Sequence, residues 1–362
     1  MSTNKEFSTA VSPAGTEAAR IRQEWFGRLF PAGVPKLWCP PLTHYTADGA
    51  IDRARMAAHL RFLSPWVKGL LVPGSTGDAW ELTAEETREV LEIATDEAGK
   101  LGLVVLAGAL RPRSQDARAV INETAEFLKR KTGAASEAEA LIRSRIRGFA
   151  VCPPKGRDLP SETLEKELSE LLSAGLPLAL YQLPQVTENE MSPELVSSLA
   201  GRFGNFLLFK DTSGRDAVAK SGRSLAGVLK VRGAEGGYAQ WLSSAGGCYD
   251  GFLLSTANAF AAPLHQIIEH SAAGRLAEAA AISSNLAELV AELFRIVGGI
   301  RDGNAFANSA KAADHFYAHG PDALALPAPR LRAGSRLPLE VLRATREALA
   351  RHGLLPDRGY LG

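Results

Sequence analysis

Short apolar runs bounded by glycine and proline recur along the 362-residue chain, and stretches with helical spacing separate them. Successive run ends lie 22 to 44 residues apart, close to the length of one strand-plus-helix unit. Eight such units favour an α/β fold of the (β/α)8 TIM-barrel type over an open doubly wound sheet. The predicted strands end near Cys39, Val72, Ala107, Val151, Leu180, Phe209, Val231 and Leu254.

Several helix boundaries carry their own signals. Thr83 and Glu86 have the spacing of a capping box, in which each side chain satisfies a backbone amide of the other residue. Ser161 is predicted to cap a leucine-rich helix that Gly175 ends. Ser192 followed by proline starts another helix, because proline is well tolerated at the first helical position. This alternation of strands and helices is typical of a parallel sheet covered by helices.

Two segments lie outside the repeating pattern. We predict an N-terminal extension over residues 1–32, helical from Glu17 to Leu29, a barrel over 33–273 and a C-terminal helical region over 274–362. The longest gap between strands contains residues 131–147, a basic, alanine-rich stretch that predicts a helical insertion.

The C-terminal region is predicted as a helical appendage packed on the barrel or on a neighbouring subunit. A proline-rich connector over 326–338 precedes a last helix over 339–351. The apolar series that opens the region consists of Leu276, Ala277, Ala279 and Ala280.

Composition narrows the class of protein. The chain is 46% hydrophobic and 22% charged, as in ordinary soluble globular proteins, and its net charge of +1 gives no case for nucleic acid or an anionic membrane. The first fifteen residues are polar and lack the apolar region of a signal peptide, so none is expected, and no stretch approaches the apolar length of a membrane span. Three isolated cysteines favour reduced thiols, so we expect a cytoplasmic protein.

One lysine is a candidate for chemistry. Lys210 closes the apolar run that begins at Phe206 and is followed at once by a polar turn. A buried strand would therefore deliver an amine to its own carboxyl end, where desolvation lowers the pKa of lysine. An amine that loses its proton near neutral pH can form a Schiff base with a carbonyl substrate. The alternative is a lysine that points into water.

Two further signals fall at predicted strand ends. The second strand leads into Gly74, Ser75 and Thr76, where glycine lets backbone amides approach a small carboxylate or phosphate and the hydroxyls add donors, although such a sequence is also compatible with a tight turn. The fifth strand delivers Tyr181, either a packing residue or a phenol that transfers a proton near Lys210. In a barrel these groups meet at the carboxyl end of the strands.

The ordered set of motifs resembles the dihydrodipicolinate synthase / N-acetylneuraminate lyase family of pyruvate-dependent class I aldolases. The resemblance runs from about Val34 to Ala262, with a looser match in the helical tail. The matching segments are Gly74 to Asp78 with Leu82-Thr83, Tyr181 to Pro184, Phe209 to Gly214, Gly246-Gly247 and Thr256 to Asn258.

The resemblance implies a role for each matching residue. Lys210 would form an imine with a 2-oxo acid, and Tyr181 would transfer protons. Ser75 and Thr76 would hold the substrate carboxylate and join the proton relay, which makes Ser75 a catalytic residue, and the backbone near Leu253 would complete the pocket. No metal or organic cofactor is implied, and relatives are commonly dimers or tetramers, so a homo-oligomer is expected.

The chain departs from the family in places. Val186 stands where members that make dihydrodipicolinate carry an arginine, and valine cannot form a bidentate pair with a carboxylate. Gln182 replaces an asparagine, Asp78 replaces a glutamate, and Cys152 stands where many relatives have a tyrosine. A role in lysine biosynthesis is therefore doubtful, and the second substrate is expected to differ.

Other polar residues have two interpretations each. Lys155, after the fourth strand, is either a cation for an acidic acceptor or a solvated loop residue, and His44 either lines the mouth or is a plain loop residue. His315 and His319 have helical spacing, and we predict a solvent-facing helix rather than a metal site. The basic clusters at 129–131 and 143–147 are predicted as solvated helix faces.

Two functions remain open from the sequence. The first is a lyase that cleaves, condenses or dehydrates a 2-oxo acid through an imine on Lys210. The second is a non-catalytic 2-oxo acid binding protein on the same barrel, because the arginine is missing and the loop after the fourth strand is altered.

Overall fold

The computed structural model describes residues 13–362, and at its centre eight parallel strands form a closed barrel. Each strand pairs with the next along the chain, and β8 closes the ring on β1. The strands are β1 (Leu37–Cys39), β2 (Gly69–Val72), β3 (Val104–Gly108), β4 (Ile146–Val151), β5 (Leu178–Gln182), β6 (Phe206–Asp211), β7 (Leu229–Arg232) and β8 (Gly251–Leu253). The predicted TIM-barrel fold is confirmed.

Helices cover the barrel and form a C-terminal group. Within residues 13–362, three short 3-10 helices span Ser75–Gly77, Ser243–Ala245 and Gly320–Ala325. The α-helices are α1 (Pro13–Leu29), α2 (Arg53–Leu63), α3 (Ala84–Leu101), α4 (Ser114–Thr132), α5 (Glu137–Arg143), α6 (Ser161–Leu172), α7 (Pro184–Thr187), α8 (Pro193–Arg202), α9 (Ala217–Lys220), α10 (Tyr238–Trp241), α11 (Ala257–Ala272), α12 (Leu276–Val297), α13 (Ala305–His319) and α14 (Leu339–Arg351). The first twelve residues of the predicted N-terminal extension lie outside the described residues.

Strand side chains alternate between the barrel interior and the layer beneath the helices. Tyr181 and Leu208 belong to the apolar cluster that fills the barrel, whereas Leu180 and Phe209 belong to the outer cluster against the helices. Both faces of β5 and β6 are thus buried, which explains their continuous apolar runs in the sequence. Because of the strand-pairing register, the inward side chains of consecutive strands point to the same region inside the barrel.

Two of the predicted helix caps are confirmed. Thr83 and Glu86 form the capping box, and the Ser192 hydroxyl accepts the amide proton of Leu195. The predicted cap at Ser161 is wrong, because Pro160 holds the cap position and makes no side-chain cap bond. Proline already fixes the backbone before the first turn, so the helix starts without a polar cap.

The predicted insertion over 131–147 has different boundaries. Helix α4 runs on to Thr132, α5 is short, and β4 begins at Ile146. Arg147 is therefore a strand residue that is only 6% exposed, not part of a solvated helix face. Its guanidinium donates to the carbonyls of Ile142 and Ile146, and burial lowers its pKa to about 10.

The C-terminal helices pack more deeply than the sequence indicates. Helix α13 is buried over most of its length, and the predicted solvent-facing position is wrong for His315, which is 3% exposed and bonds the Ala323 carbonyl. Small alanines on several faces of α13 let neighbouring elements surround it. Conversely, α12 opens with Leu276 and its neighbouring alanines exposed, except for Ala279.

Within residues 13–362, no helix combines the length and the apolar character needed to cross a membrane.

Candidate active site

Lys210 and Tyr181 meet inside the carboxyl end of the barrel. They are register partners on β6 and β5, and both side chains are buried. The Lys210 Nζ atom lies 3.7 Å from the centre of the Tyr181 ring. Because Lys210 follows the interior residue Leu208 by two positions, the alternation of the strand aims its amine inward.

This position changes the acid–base properties of the lysine. Burial lowers the pKa of Lys210 from 10.5 to about 7, while the nearby Cys152, Glu235 and Cys39 act in the opposite direction. The aromatic face of Tyr181 also favours the charged form to some extent. A substantial fraction of Lys210 is therefore an uncharged amine at neutral pH, which is the nucleophilic form.

The Tyr181 phenol keeps its proton at neutral pH. Burial raises its pKa, and the hydroxyl groups of Thr212 and Ser75 act in the opposite direction. Tyr181 is thus a weak acid beside an amine. After it donates its proton, the hydroxyls of Thr212 and Ser75 stabilise the resulting phenolate. This is the arrangement expected of a proton-transferring phenol.

The loop after β2 brings Ser75 to this group. Gly74 allows the approach, since a Cβ atom there would lie 2.7 Å from the Cβ of Pro40. Gly77 is constrained in the same way, because a Cβ atom would lie 2.6 Å from the Pro41 carbonyl oxygen. Ser75 and Thr76 are both buried in the short helix between these glycines.

Trp80 orients Ser75, and the sequence analysis missed it. The indole Nε1 donates to Ser75 Oγ at 2.8 Å. An indole N–H only donates, so the serine hydroxyl is left to donate its own proton elsewhere. The contribution of Ser75 to the pKa of Tyr181 is consistent with that direction.

The loop is anchored by the C-terminal helix α13. Lys311 Nζ lies 3.1 Å from Asp78 Oδ2, and both side chains are buried. The Tyr45 hydroxyl donates to the same Asp78 oxygen at 2.9 Å. Asn304, at the start of α13, donates to the Ser75 carbonyl at 3.3 Å. The C-terminal region therefore supports the loop that carries Ser75.

Glu235 is a second residue that the sequence analysis missed. It follows β7, and its carboxylate accepts from Ser255 Oγ at 2.8 Å, from the Thr256 amide at 3.2 Å and from the Tyr238 hydroxyl at 3.0 Å. These bonds join the loops after β7 and β8. Burial raises the pKa of Glu235, whereas the hydrogen bonds from Thr256 and Ser255 lower it. The only sequence signal was an acidic residue just after a strand.

Gly233 packs directly against the lysine. A Cβ atom at this position would lie 2.8 Å from Lys210 Cε and 2.4 Å from Thr212 Oγ1. Any larger residue would displace both side chains. Glycine at the end of β7 therefore makes the space in which the amine sits.

A buried charged network fixes the ends of β6 and β7. Arg232 forms two bonds to the Asp216 carboxylate, at 2.9 and 3.1 Å. The Tyr249 hydroxyl donates to Asp216 at 2.7 Å and lies 3.3 Å from an oxygen of Asp211. Asp211 is the residue after Lys210, so this network holds the backbone from which the lysine projects.

Not every predicted site residue joins this group. Leu253 is buried in the same interior cluster as Tyr181. Lys155, by contrast, is exposed and pairs with Glu188 at 3.3 Å, so its role in binding an acceptor stays a prediction. Val186 packs against the interior cluster and gives this part of the mouth an apolar surface. Among residues 13–362, no group of three or more metal-binding side chains is arranged around a common point.

The sequence is related to known proteins. The profile of the Dihydrodipicolinate synthetase family matches residues 146–300. A 4-hydroxy-tetrahydrodipicolinate synthase from a Synechococcus strain is 32% identical over 202 residues, which are 54% of this chain and 57% of the relative. The match thus spans little more than half of that relative. A second such synthase, from Symbiobacterium thermophilum, is 27% identical over 76% of this chain and 85% of its own length.

Solved structures share the fold. A prophage protein of the dihydrodipicolinic acid synthase family from E. coli, in complex with pyruvate, superposes with a TM-score of 0.68 at 19% identity, covering 88% of this chain and 99% of that one. A Sulfolobus solfataricus 2-keto-3-deoxygluconate aldolase variant gives a TM-score of 0.69 at 19% identity, covering 88% and 96%. At these identities the likeness shows the common barrel. The resemblance predicted from the motifs is confirmed: the family profile matches residues 146–300, and the chain is similar to the two synthases over about half or more of its length.

Proposed function

We propose that the chain is a lyase that acts on pyruvate or another 2-oxo acid through a Schiff base on Lys210. The observation that carries this proposal is the buried amine of Lys210, with a pKa of about 7, against the ring of Tyr181. Pure binding of a 2-oxo acid does not need a nucleophilic amine, so this pairing favours catalysis over a non-catalytic binding role.

The first chemical step uses the uncharged amine. Lys210 Nζ attacks the C2 carbonyl of the 2-oxo acid, and the carbonyl oxygen takes a proton from Tyr181. The nitrogen then loses a proton, and the new hydroxyl leaves as water after it receives a second proton. Tyr181 returns to its protonated form between these transfers, and Ser75 stabilises the intermediate phenolate by donating its hydroxyl proton.

The substrate carboxylate would be held at the loop after β2. The buried Thr76 hydroxyl is the donor for this carboxylate, since the single proton of the Ser75 hydroxyl serves Tyr181. The ammonium of Lys311 already pairs with Asp78, so it supports the loop rather than the substrate. With its carboxylate fixed, the 2-oxo acid presents C2 to Lys210 in one orientation.

The imine then acts as an electron sink. Either the bond between C3 and C4 breaks or forms, as in an aldolase, or a proton leaves C3 and a hydroxyl leaves C4, as in a dehydratase. Both reactions need the same lysine and phenol. The apolar surface of Val186 and the carboxylate of Glu235 disfavour an acceptor that carries its own carboxylate at this end of the site.

The test is trapping with borohydride. Protein incubated with pyruvate and borohydride should gain the mass of one reduced adduct, located on Lys210 by peptide mass spectrometry. Lys210→Ala should abolish labelling and turnover. Lys155→Ala, which removes an exposed lysine on a neighbouring barrel loop, is the matched control and should label normally. Wild-type protein that stays unmodified would contradict the proposal.

A coupled screen of aldehydes and 2-oxo-3-deoxy acids, in both directions, would then identify the second substrate. Turnover with any of them separates an enzyme from a binding protein.

A further inference from the structure

A second polar cavity lies beside the barrel mouth. It has a volume of about 280 Å³ and is bounded by the loop after β1, the start of α2, helix α13 and the connector over 327–336. Thr43 and Tyr45, in the loop after β1, separate it from the group around Lys210, because they bond the Gly77 carbonyl and the Asp78 carboxylate. None of the residues assigned to the proposed lyase reaction lines this cavity.

The charged groups of this cavity are predominantly positive. Four cationic side chains line it, against the two carboxylates of Asp52 and Asp314. Arg55 pairs with Asp314 at 2.6 Å, and Lys311 pairs with Asp78 at 3.1 Å. These two ion pairs lie at the inner wall of the cavity, and in each pair the carboxylate largely neutralises the charge of the cation.

The other two cations lie on the outer wall. Arg330 and Arg336 face each other across an antiparallel bridge of the connector. Arg330 donates to the Ala47 carbonyl, and Arg336 donates to the Ala328 carbonyl. Within the described part of the chain, neither has a carboxylate within 4 Å, although Asp48 is close enough for Arg330 to lower its pKa slightly. Both guanidinium groups thus border the same cavity with little compensating charge.

Imidazole rings complete the lining. His44, His315 and His319 face the cavity, and burial is the main cause that lowers the pKa of each, to about 4 for His319. Arg55 lowers these values further for all three rings and Lys311 does so for His44, whereas Asp314 raises the pKa of His315 and His319. Because its charged side chains are mainly cationic, the lining would favour a negative ligand.

We infer that this cavity binds a phosphate group, as inorganic phosphate or as part of a small phosphorylated molecule. A tetrahedral dianion offers oxygen acceptors in several directions, which matches the guanidinium donors of Arg330 and Arg336. Arginine forks are well suited to such oxygens. An apolar ligand would leave these polar groups without partners, which disfavours it. The inference does not depend on the proposed lyase activity.

The experiment is a titration of the full chain with inorganic phosphate, followed by calorimetry and by thermal unfolding. Wild-type protein should bind phosphate saturably, and Lys210→Ala should bind with the same affinity. Arg330→Ala combined with Arg336→Ala should weaken phosphate binding at least tenfold. A tenfold loss of affinity corresponds to about 1.4 kcal/mol, which is about the strength of one charge-assisted hydrogen bond.

Controls separate site binding from general charge effects. Arg346→Ala combined with Arg343→Ala removes two exposed arginines of α14 and should leave the affinity unchanged. If the double variant at the cavity is unstable, the single substitution Arg336→Glu replaces it, because it reverses one exposed charge. Arg346→Glu is then the matched control.

The affinities for glycerol phosphate and malonate show whether the cavity prefers a phosphate ester or a dicarboxylate. No saturable phosphate binding, tighter binding of malonate, or equal binding by the cavity and control variants would overturn the inference.

Discussion

Replacing Lys210 by methionine should make the protein more stable while it removes the proposed activity. In the folded chain, burial holds the pKa of this lysine at about 7 instead of 10.5. The unfolded chain therefore binds more protons than the folded chain between these two values, so the burial of Lys210 destabilises the fold below about pH 10.5. The penalty grows as the pH falls and is complete below about pH 7.

The size of the effect follows from the shift. Each pKa unit corresponds to about 1.4 kcal/mol, so at neutral pH the penalty is on the order of 4 kcal/mol. Methionine keeps the length and the apolar stem of lysine and carries no charge. Lys210→Met should therefore gain up to about that much free energy of unfolding near pH 7, and it should lose the rise in stability that the wild type shows toward about pH 10.

Urea unfolding followed by circular dichroism, near pH 7 and near pH 10, measures both quantities. The control is Lys155→Met, an exposed site where the change should stay within about 0.5 kcal/mol at either pH. A Lys210→Met protein that is less stable than wild type near pH 7, with an unchanged pH dependence, would refute the reasoning that the buried amine is strained in its charged form.

Three further substitutions test other parts of the site. Tyr181→Phe should slow imine formation with pyruvate by about a hundredfold or more, since a general acid is lost; single-turnover borohydride trapping measures it, and an unchanged rate would exclude the relay. Glu235→Gln should move the pH midpoint of trapping at Lys210 to a lower value, because the carboxylate favours the ammonium; a rise in the midpoint would contradict this sign. Gly233→Ala should abolish trapping, because its Cβ atom would lie 2.8 Å from Lys210 Cε; full activity in kinetic assays would show that the lysine has room to move.

Much of the barrel could be predicted because both faces of its strands are buried. The apolar run ending in Phe209-Lys210 marked β6, and the break in polarity at the lysine located the strand end. Parallel strands in a closed barrel bring their carboxyl ends together, so Tyr181 and Lys210 could be placed near each other without coordinates.

What the sequence did not reveal depends on contacts between distant segments. Trp80 and Glu235 are ordinary loop residues in the sequence, and only their bonds to Ser75 and Ser255 give them a role. In the sequence Arg147 belongs to a cluster of basic residues, but in the structure it lies near the start of β4 and is buried.

The surroundings of helix α13 and of Lys155 also depend on distant segments and could not be predicted from the sequence. The histidines of α13 have a spacing that fits an exposed helix, but alanine on its other faces allows the barrel and α14 to enclose it. Lys155 is paired with Glu188, a residue of a different loop, which no local pattern predicts.

The central claim is that Lys210 reacts with a 2-oxo acid as an uncharged amine. It is tested most directly by measuring, peptide by peptide, the pH dependence of pyruvate and borohydride labelling at Lys210, with Lys155 in the same sample as the internal reference. We predict a midpoint near pH 7 for Lys210, the value to which burial lowers its pKa, and stronger labelling of Lys210 than of the exposed Lys155 at neutral pH. A midpoint for Lys210 well above pH 7, or labelling of Lys155 in preference, would contradict this claim.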